Sequence, residues 1–192
     1  MKAIFFPTIV AAAVLVGACN NGGTGTDLPP TSGTANIDSR VVNNQASGFS
    51  FSEAAVVKIP NSSDIIPDIQ VSVNTNPTGD IHGVFFATPG TLFPAFQLLR
   101  RFSIPDSARL YFNDLGEIPD TTYEELALPV EVGDVWAVKT RRSTFAKILI
   151  IQTVAYMDTS NPSAPTPYGQ ATFDWSYQPN GTRIFYTNAN GR

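Results

Sequence analysis

Downstream of about residue 48 the apolar positions fall in short runs, and the clearest of them alternate. In "ATFDWSYQ" Phe173, Trp175 and Tyr177 alternate with Thr172, Asp174, Ser176 and Gln178. Successive side chains of a strand point to opposite faces, so one face here is aromatic and the other wet. Similar runs occur at "GFSFS", "AAVVKI", "IPDIQVSVN", "IHGVFFA", "ARLYF", "VWAVKT", "TFAKILIIQTVAYM" and "TRIFYT". Nearly all are bounded by turn residues, which reads as strands rather than helices. "GDVWAVKTRRSTFAKILII" predicts a hairpin turning near Arg141 to Ser143, with Ile148 to Ile151 buried on both faces. Asn180-Gly181 predicts a second tight turn, before "TRIFYT". Two windows carry helical spacing. One is "LFPAFQLLRRF", with Leu98, Leu99 and Phe102 on one face, and the other is "PDTTYEELAL", with Asp120 as N-cap and Leu126 facing inward. The expected fold is therefore all-β, an antiparallel β-sandwich or open barrel with at most one or two short helices.

The N-terminal end follows a different pattern. Met1 and Lys2 precede an apolar run from Ile4 to Val16, interrupted only by Pro7 and Thr8, and then come Gly17, Ala18 and Cys19. Positive charge, a short greasy segment and small residues define a secretion signal over residues 1–18, too short to remain as a membrane span. Val16-Gly17-Ala18-Cys19 resembles the lipobox of bacterial lipoproteins. That resemblance implies cleavage before Cys19 and acylation of its thiol, the only cysteine in the chain. With no second cysteine, no internal disulfide forms. Several acyl chains hold a protein stably where one does not. Asn20 is not the aspartate that retains many such proteins in the inner membrane, so the outer membrane or cell surface is expected.

Residues 19–47, rich in Asn, Gly, Thr, Ser and Pro, are expected to form a flexible tether. Such a coil reaches about 30 Å and at full stretch roughly 95 Å. Residues 48–192 are then a single all-β domain, long enough for a real core. Fifteen prolines and fourteen glycines in 192 residues fit a chain with many corners.

Charge narrows the partners. The net charge of −4 becomes −5 when Lys2 leaves with the signal, and the largest basic clusters are the pairs Arg100-Arg101 and Arg141-Arg142. Nucleic acid is not expected, because phosphate binding needs a concentrated positive face. Enzyme signatures are sparse. A zinc triad of histidines needs more than His82, the single histidine, and neither Gly-x-Ser-x-Gly nor a phosphate-cradling glycine loop occurs. Asp106, Asp114, Glu117, Asp120, Glu124 and Glu125 lack calcium-loop order and read as a solvated acidic segment; a hydrolase would have to draw its carboxylates from them. A binding protein rather than an enzyme is the expectation.

The order "GDVWAVKT", a turn, "FAKI", then "TFDWSYQPNGTRIF", together with "GFSFSEAAVVKI" and "SDIIPDIQVSVNTN", resembles the HmuY-like lipoproteins, over about residues 48–187. The resemblance implies an exported, lipid-anchored β protein that binds haem between strands and loops and passes it to an outer-membrane receptor. Members hold iron with two histidines or two methionines. This chain departs from that pattern, having His82 and, after signal removal, Met157 alone. A mixed His82/Met157 pair is chemically sound, since imidazole and thioether together ligate haem iron. Taken singly, His82 also reads as a turn or strand-edge side chain, and Met157 as core packing. Trp136, Trp175 and Tyr177 either wall a pocket for a flat or apolar ligand or pack within the sheet. The alternative function is docking of an envelope protein partner through the aromatic sheet face.

Overall fold

In a computed structural model of the chain, residues 29–185 are described. The signal segment, Cys19, Asn20 and the end of "TRIFYT" lie outside them.

The described residues form ten antiparallel strands and one helix. In chain order these are β1 Ser32–Asp38, β2 Ala46–Ser50, β3 Ala55–Ile59, β4 Gln70–Thr75, β5 Ile81–Ala87, β6 Phe96–Arg101, α1 Pro105–Asp114, β7 Leu126–Val130, β8 Asp134–Lys139, β9 Phe145–Asp158 and β10 Thr166–Gln178. A five-stranded sheet runs β1-β10-β9-β8-β6, and two smaller sheets, β2-β3 and β4-β5-β7, lie across it without closing a barrel. The all-β expectation holds, as a layered and open structure.

Alternation in β10 places the layers. Phe173, Trp175 and Tyr177 all point inward and are buried, meeting Phe49 and Phe51 from β2 and its turn and Phe86 from β5. Each such side chain contributes about 1.5–3 kcal/mol by leaving water. In β9, Ile148 and Ile150 join this inner core, while Leu149 faces outward under α1 beside Val135. Burial on both faces therefore holds for 148–150, and it stops at Ile151, which is 36% exposed. The hairpin between β8 and β9 turns at Arg141 to Ser143 as expected, with Val138 paired to Ala146 and Lys139 to Phe145.

Four local expectations are corrected. The tether over 19–47 is too long, because Ser32–Asp38 is an edge strand in register with β10, and β2 begins at Ala46. Its only inward apolar residues are Ala35 and Ile37, so it is held by backbone pairing to β10 more than by its own composition. The window at 92–102 is not a helix: pairing of Leu98 with Trp136 and Phe96 with Val138 overrides its helical spacing and makes it β6. Residues 119–128 are extended. There Glu124 bridges Phe96 and Asp120 ion-pairs with Arg183 instead of capping a helix. Conversely "ARLYF", expected as a strand, lies in α1, which opens on Pro105 with Asp106 in its first turn and seats Ala108 and Phe112 on Val135 and Leu149. Proline at the first helical position is a start signal, and positions four apart share a helix face.

After the Asn180-Gly181 turn, with Gly181 at φ +76°, the chain does not pair back onto β10 within the described residues. It runs beside 116–118 instead: the Ile118 N–H donates to the Arg183 carbonyl at 2.9 Å, and the Phe185 N–H to that of Gly116 at 2.8 Å.

One half-buried acid sets a pH dependence. Asp68 accepts the Phe51 N–H at 2.8 Å, and burial pushes its carboxyl from the usual 3.8 up to about 6 despite that bond and the nearby Arg142 and Arg141. Between those two values the folded chain holds a proton that the unfolded chain has lost, so stability falls as pH rises through the window. Asp68→Asn keeps an acceptor and removes the charge. It is expected to stabilise the chain by about 1–2 kcal/mol at pH 7.5, with the gain vanishing near pH 4, as read from paired urea titrations.

Candidate functional site

The three aromatics expected to wall a pocket are interior residues. Trp136, Trp175 and Tyr177 are 4%, 3% and 9% exposed. The Trp175 ring sits 5.2 Å from that of Phe49, and Tyr177 stacks on Phe51 at 6.0 Å. The Tyr177 hydroxyl is 3.1 Å from Thr144 Oγ1, which is 2.6 Å from Thr140 Oγ1, so the polar tip is satisfied inside the β8–β9 turn. The Trp136 indole N–H is buried without a hydrogen-bond partner. These rings hold the two layers together, and Trp175 and Tyr177 also lie along the lining of a cleft beside α1.

His82 and Met157 are both accessible. In β5 the register against β4 shifts between Gly83 and Ile81, which leaves His82 as the extra residue of a β-bulge, exposed, beside Gly83 at φ +128°. Bulges re-aim a side chain out of the regular alternation, and a positive φ of this size suits glycine. Asp80 next to it is held by Asn76 Nδ2 at 2.8 Å and Thr78 Oγ1 at 2.7 Å. These bonds, with a smaller contribution from His82, keep its carboxyl below the usual range. Met157, 36% exposed, stands opposite Pro167 near the far end of β9. Phe86 rests against Phe173, and Val84 lies over Gly169, where an added Cβ would come within 2.8 Å of its methyl carbon. Traced toward its start, β5 therefore heads for the Pro167–Met157 pair, and His82 and Met157 share one end of the sandwich.

The acids of the 106–125 segment are scattered. Asp106 opens α1, Asp114 ends it, Glu117 bridges Ile184, and Asp120 pairs with Arg183. Among the described residues no group of three or more His, Cys, Asp or Glu side chains is gathered where it could hold a metal ion.

At the opposite end, on the outer face of the main sheet, lies a feature missed in the sequence. A cleft of about 960 Å³ opens beside α1, with Lys147 in its lining. Lys147 is 3% exposed, and its ammonium donates to the carbonyls of Phe112 at 2.6 Å and Leu115 at 2.8 Å, the last turn of α1. A cation there complements the helix dipole. The rings of Phe112 and Phe185 flank it, 4.9 Å and 5.4 Å from Nζ. The visible signal was a lysine inside the apolar run "TFAKILII". A smaller hollow of about 450 Å³ lies by Arg141. That guanidinium is committed to the carbonyls of Pro89 and Thr91, at 2.6 and 2.7 Å, and to the Phe93 ring.

No protein family matches the chain, and no curated protein is similar to it. No helix among the described residues is long and apolar enough to cross a membrane.

Proposed function

We propose that this chain is an extracytoplasmic lipoprotein, anchored through acylated Cys19 at the bacterial outer membrane or cell surface, that captures haem or a similar tetrapyrrole and passes it to an outer-membrane receptor. The observation that supports the capture reading is that His82, on its bulge, and the Met157 thioether are both accessible and lie on strands that run toward the same end of the sandwich. Imidazole and thioether suit haem iron as axial donors. Haem here is cargo, and the chain's contribution is two donors on strands of facing sheets. The lipobox and the resemblance to HmuY-like lipoproteins support the same reading. Docking a protein partner through the aromatic sheet face has less behind it, because Trp136, Trp175 and Tyr177 are interior.

Haemin titrated at micromolar concentration into the purified chain is expected to give a saturable, shifted Soret band. His82→Ala abolishes the shift, and Met157→Leu moves the band without abolishing it. An unchanged haemin spectrum, or wild-type behaviour in His82→Ala, removes haem capture at this end.

A further inference from the structure

The Lys147 cleft lies on the other face and at the other end of the main sheet from His82, and its charge arrangement is unusual. A buried cation is costly unless it is paired. Yet no carboxylate lies within 4.0 Å of the Lys147 ammonium among the described residues. Its two carbonyl partners carry only the partial charge of a helix C-terminus. They also occupy two of the three N–H donors that an ammonium has, and the residue lines an open cleft.

The walls add to this. Ser176, whose strand position pairs with that of Lys147, and Asn113 bring a hydroxyl and an amide to the lining, while Phe112, Phe185 and the 64% exposed Leu110 bring apolar surface. Polar and apolar surface are about balanced in the lining, and the volume lies within the range of small-molecule sites. Asp114 also lines the cleft, beyond ion-pair distance from Lys147, and its charge disfavours multiply charged anions. Burial pushes the Lys147 ammonium down to about 8, which is the cost that a bound anion would relieve.

We propose that this cleft is a second ligand site, for an amphipathic monocarboxylate whose carboxylate takes the free N–H of Lys147 with help from Ser176, and whose apolar body lies along Phe112, Leu110 and Phe185. This site is independent of haem capture.

The test is calorimetric titration of the mature chain, residues 19–192 with Cys19→Ser, using sodium decanoate below its micelle concentration. Saturable binding at one site is expected, with 1-decanol binding more weakly and inorganic phosphate not at all. Lys147→Met retains the stem and is expected to weaken decanoate binding roughly 10- to 100-fold, the loss of one charged hydrogen bond. Removing the cap of α1 carries a risk to folding, so nitrogen NMR of the wild-type lysine side chains is the second measurement. The Lys147 Nζ signal is expected to shift on adding decanoate and to titrate at higher pH in the complex. Absence of saturation at millimolar decanoate, equal binding of decanol or phosphate, or a Lys147 signal blind to decanoate would overturn the proposal.

Discussion

Replacing Asp134 by alanine is expected to lower the stability of the folded chain by about 3–5 kcal/mol, the usual cost of breaking a buried ion pair. Asp134 is fully buried at the start of β8. It accepts from Arg101 Nε at 2.6 Å, from Arg101 Nη2 at 2.9 Å and from the Glu131 N–H at 2.9 Å. One carboxylate thus ties edge strand β6 to β8 and closes the turn between β7 and β8. The turn has no slack, because Gly133 sits at φ +87° and a Cβ there would come within 2.3 Å of the Phe102 carbonyl oxygen. After Asp134→Ala the guanidinium, 39% exposed, still has Glu131 at 3.0 Å and water, which holds the cost toward the lower end. Arg101→Met is the more severe change, since it strands the buried carboxylate with one backbone N–H. Urea denaturation of the two variants checks both the size and the order. Asp134→Ala within 1 kcal/mol of wild type would mean that the pair does not hold β6 in place.

Phe173→Ala is expected to cost about 3–5 kcal/mol, a loss of transfer energy plus the cavity left behind. Phe173 is fully buried, and its ring stands edge-on to Phe49 at 5.6 Å and to Phe86 at 5.7 Å. It is therefore the residue at which the main sheet meets both smaller sheets. Neighbours from three sheets cannot all collapse into one gap. Phe173→Leu retains more of the contact and costs less. Calorimetry gives the stability loss, and near-ultraviolet circular dichroism should lose the aromatic signal of the inner layer before the far-ultraviolet strand signal fades. A typical domain has only about 5–15 kcal/mol in hand, so either alanine variant is close to unfolding at working temperature.

What was legible in the sequence was what depends on local period. The alternation of β10 and the hairpin of β8 and β9 are written in side chains two residues apart, and the structure carries them with the turn where Arg141 to Ser143 predicts it. What failed depended on a distant partner. β1 has two inward apolar residues and owes its place to β10, over 130 positions away in the chain, as its Asn36–Thr172 pairing shows. The helical spacing of 92–102 gives way to a register with β8, while α1, which starts on Pro105-Asp106, was masked by the β-like letters of "ARLYF".

The candidate sites divide in the same way. His82 stood out as the single histidine, but the bulge that presents it arises from pairing with β4. Lys147 gave a weak signal, a charge inside an apolar strand. Its function as the cap of α1 becomes visible only when the helix is laid across the sheet.

The central proposal is that this β body works outside the cell, held by lipid at Cys19. Intact and peptide mass spectrometry of the full chain expressed in a bacterium and purified from its membranes tests it most directly. The expected N-terminal peptide begins at Cys19, lacks residues 1–18, and carries the added mass of acyl chains and glycerol. A free Cys19 thiol, or a chain that still begins at Met1, would contradict the account.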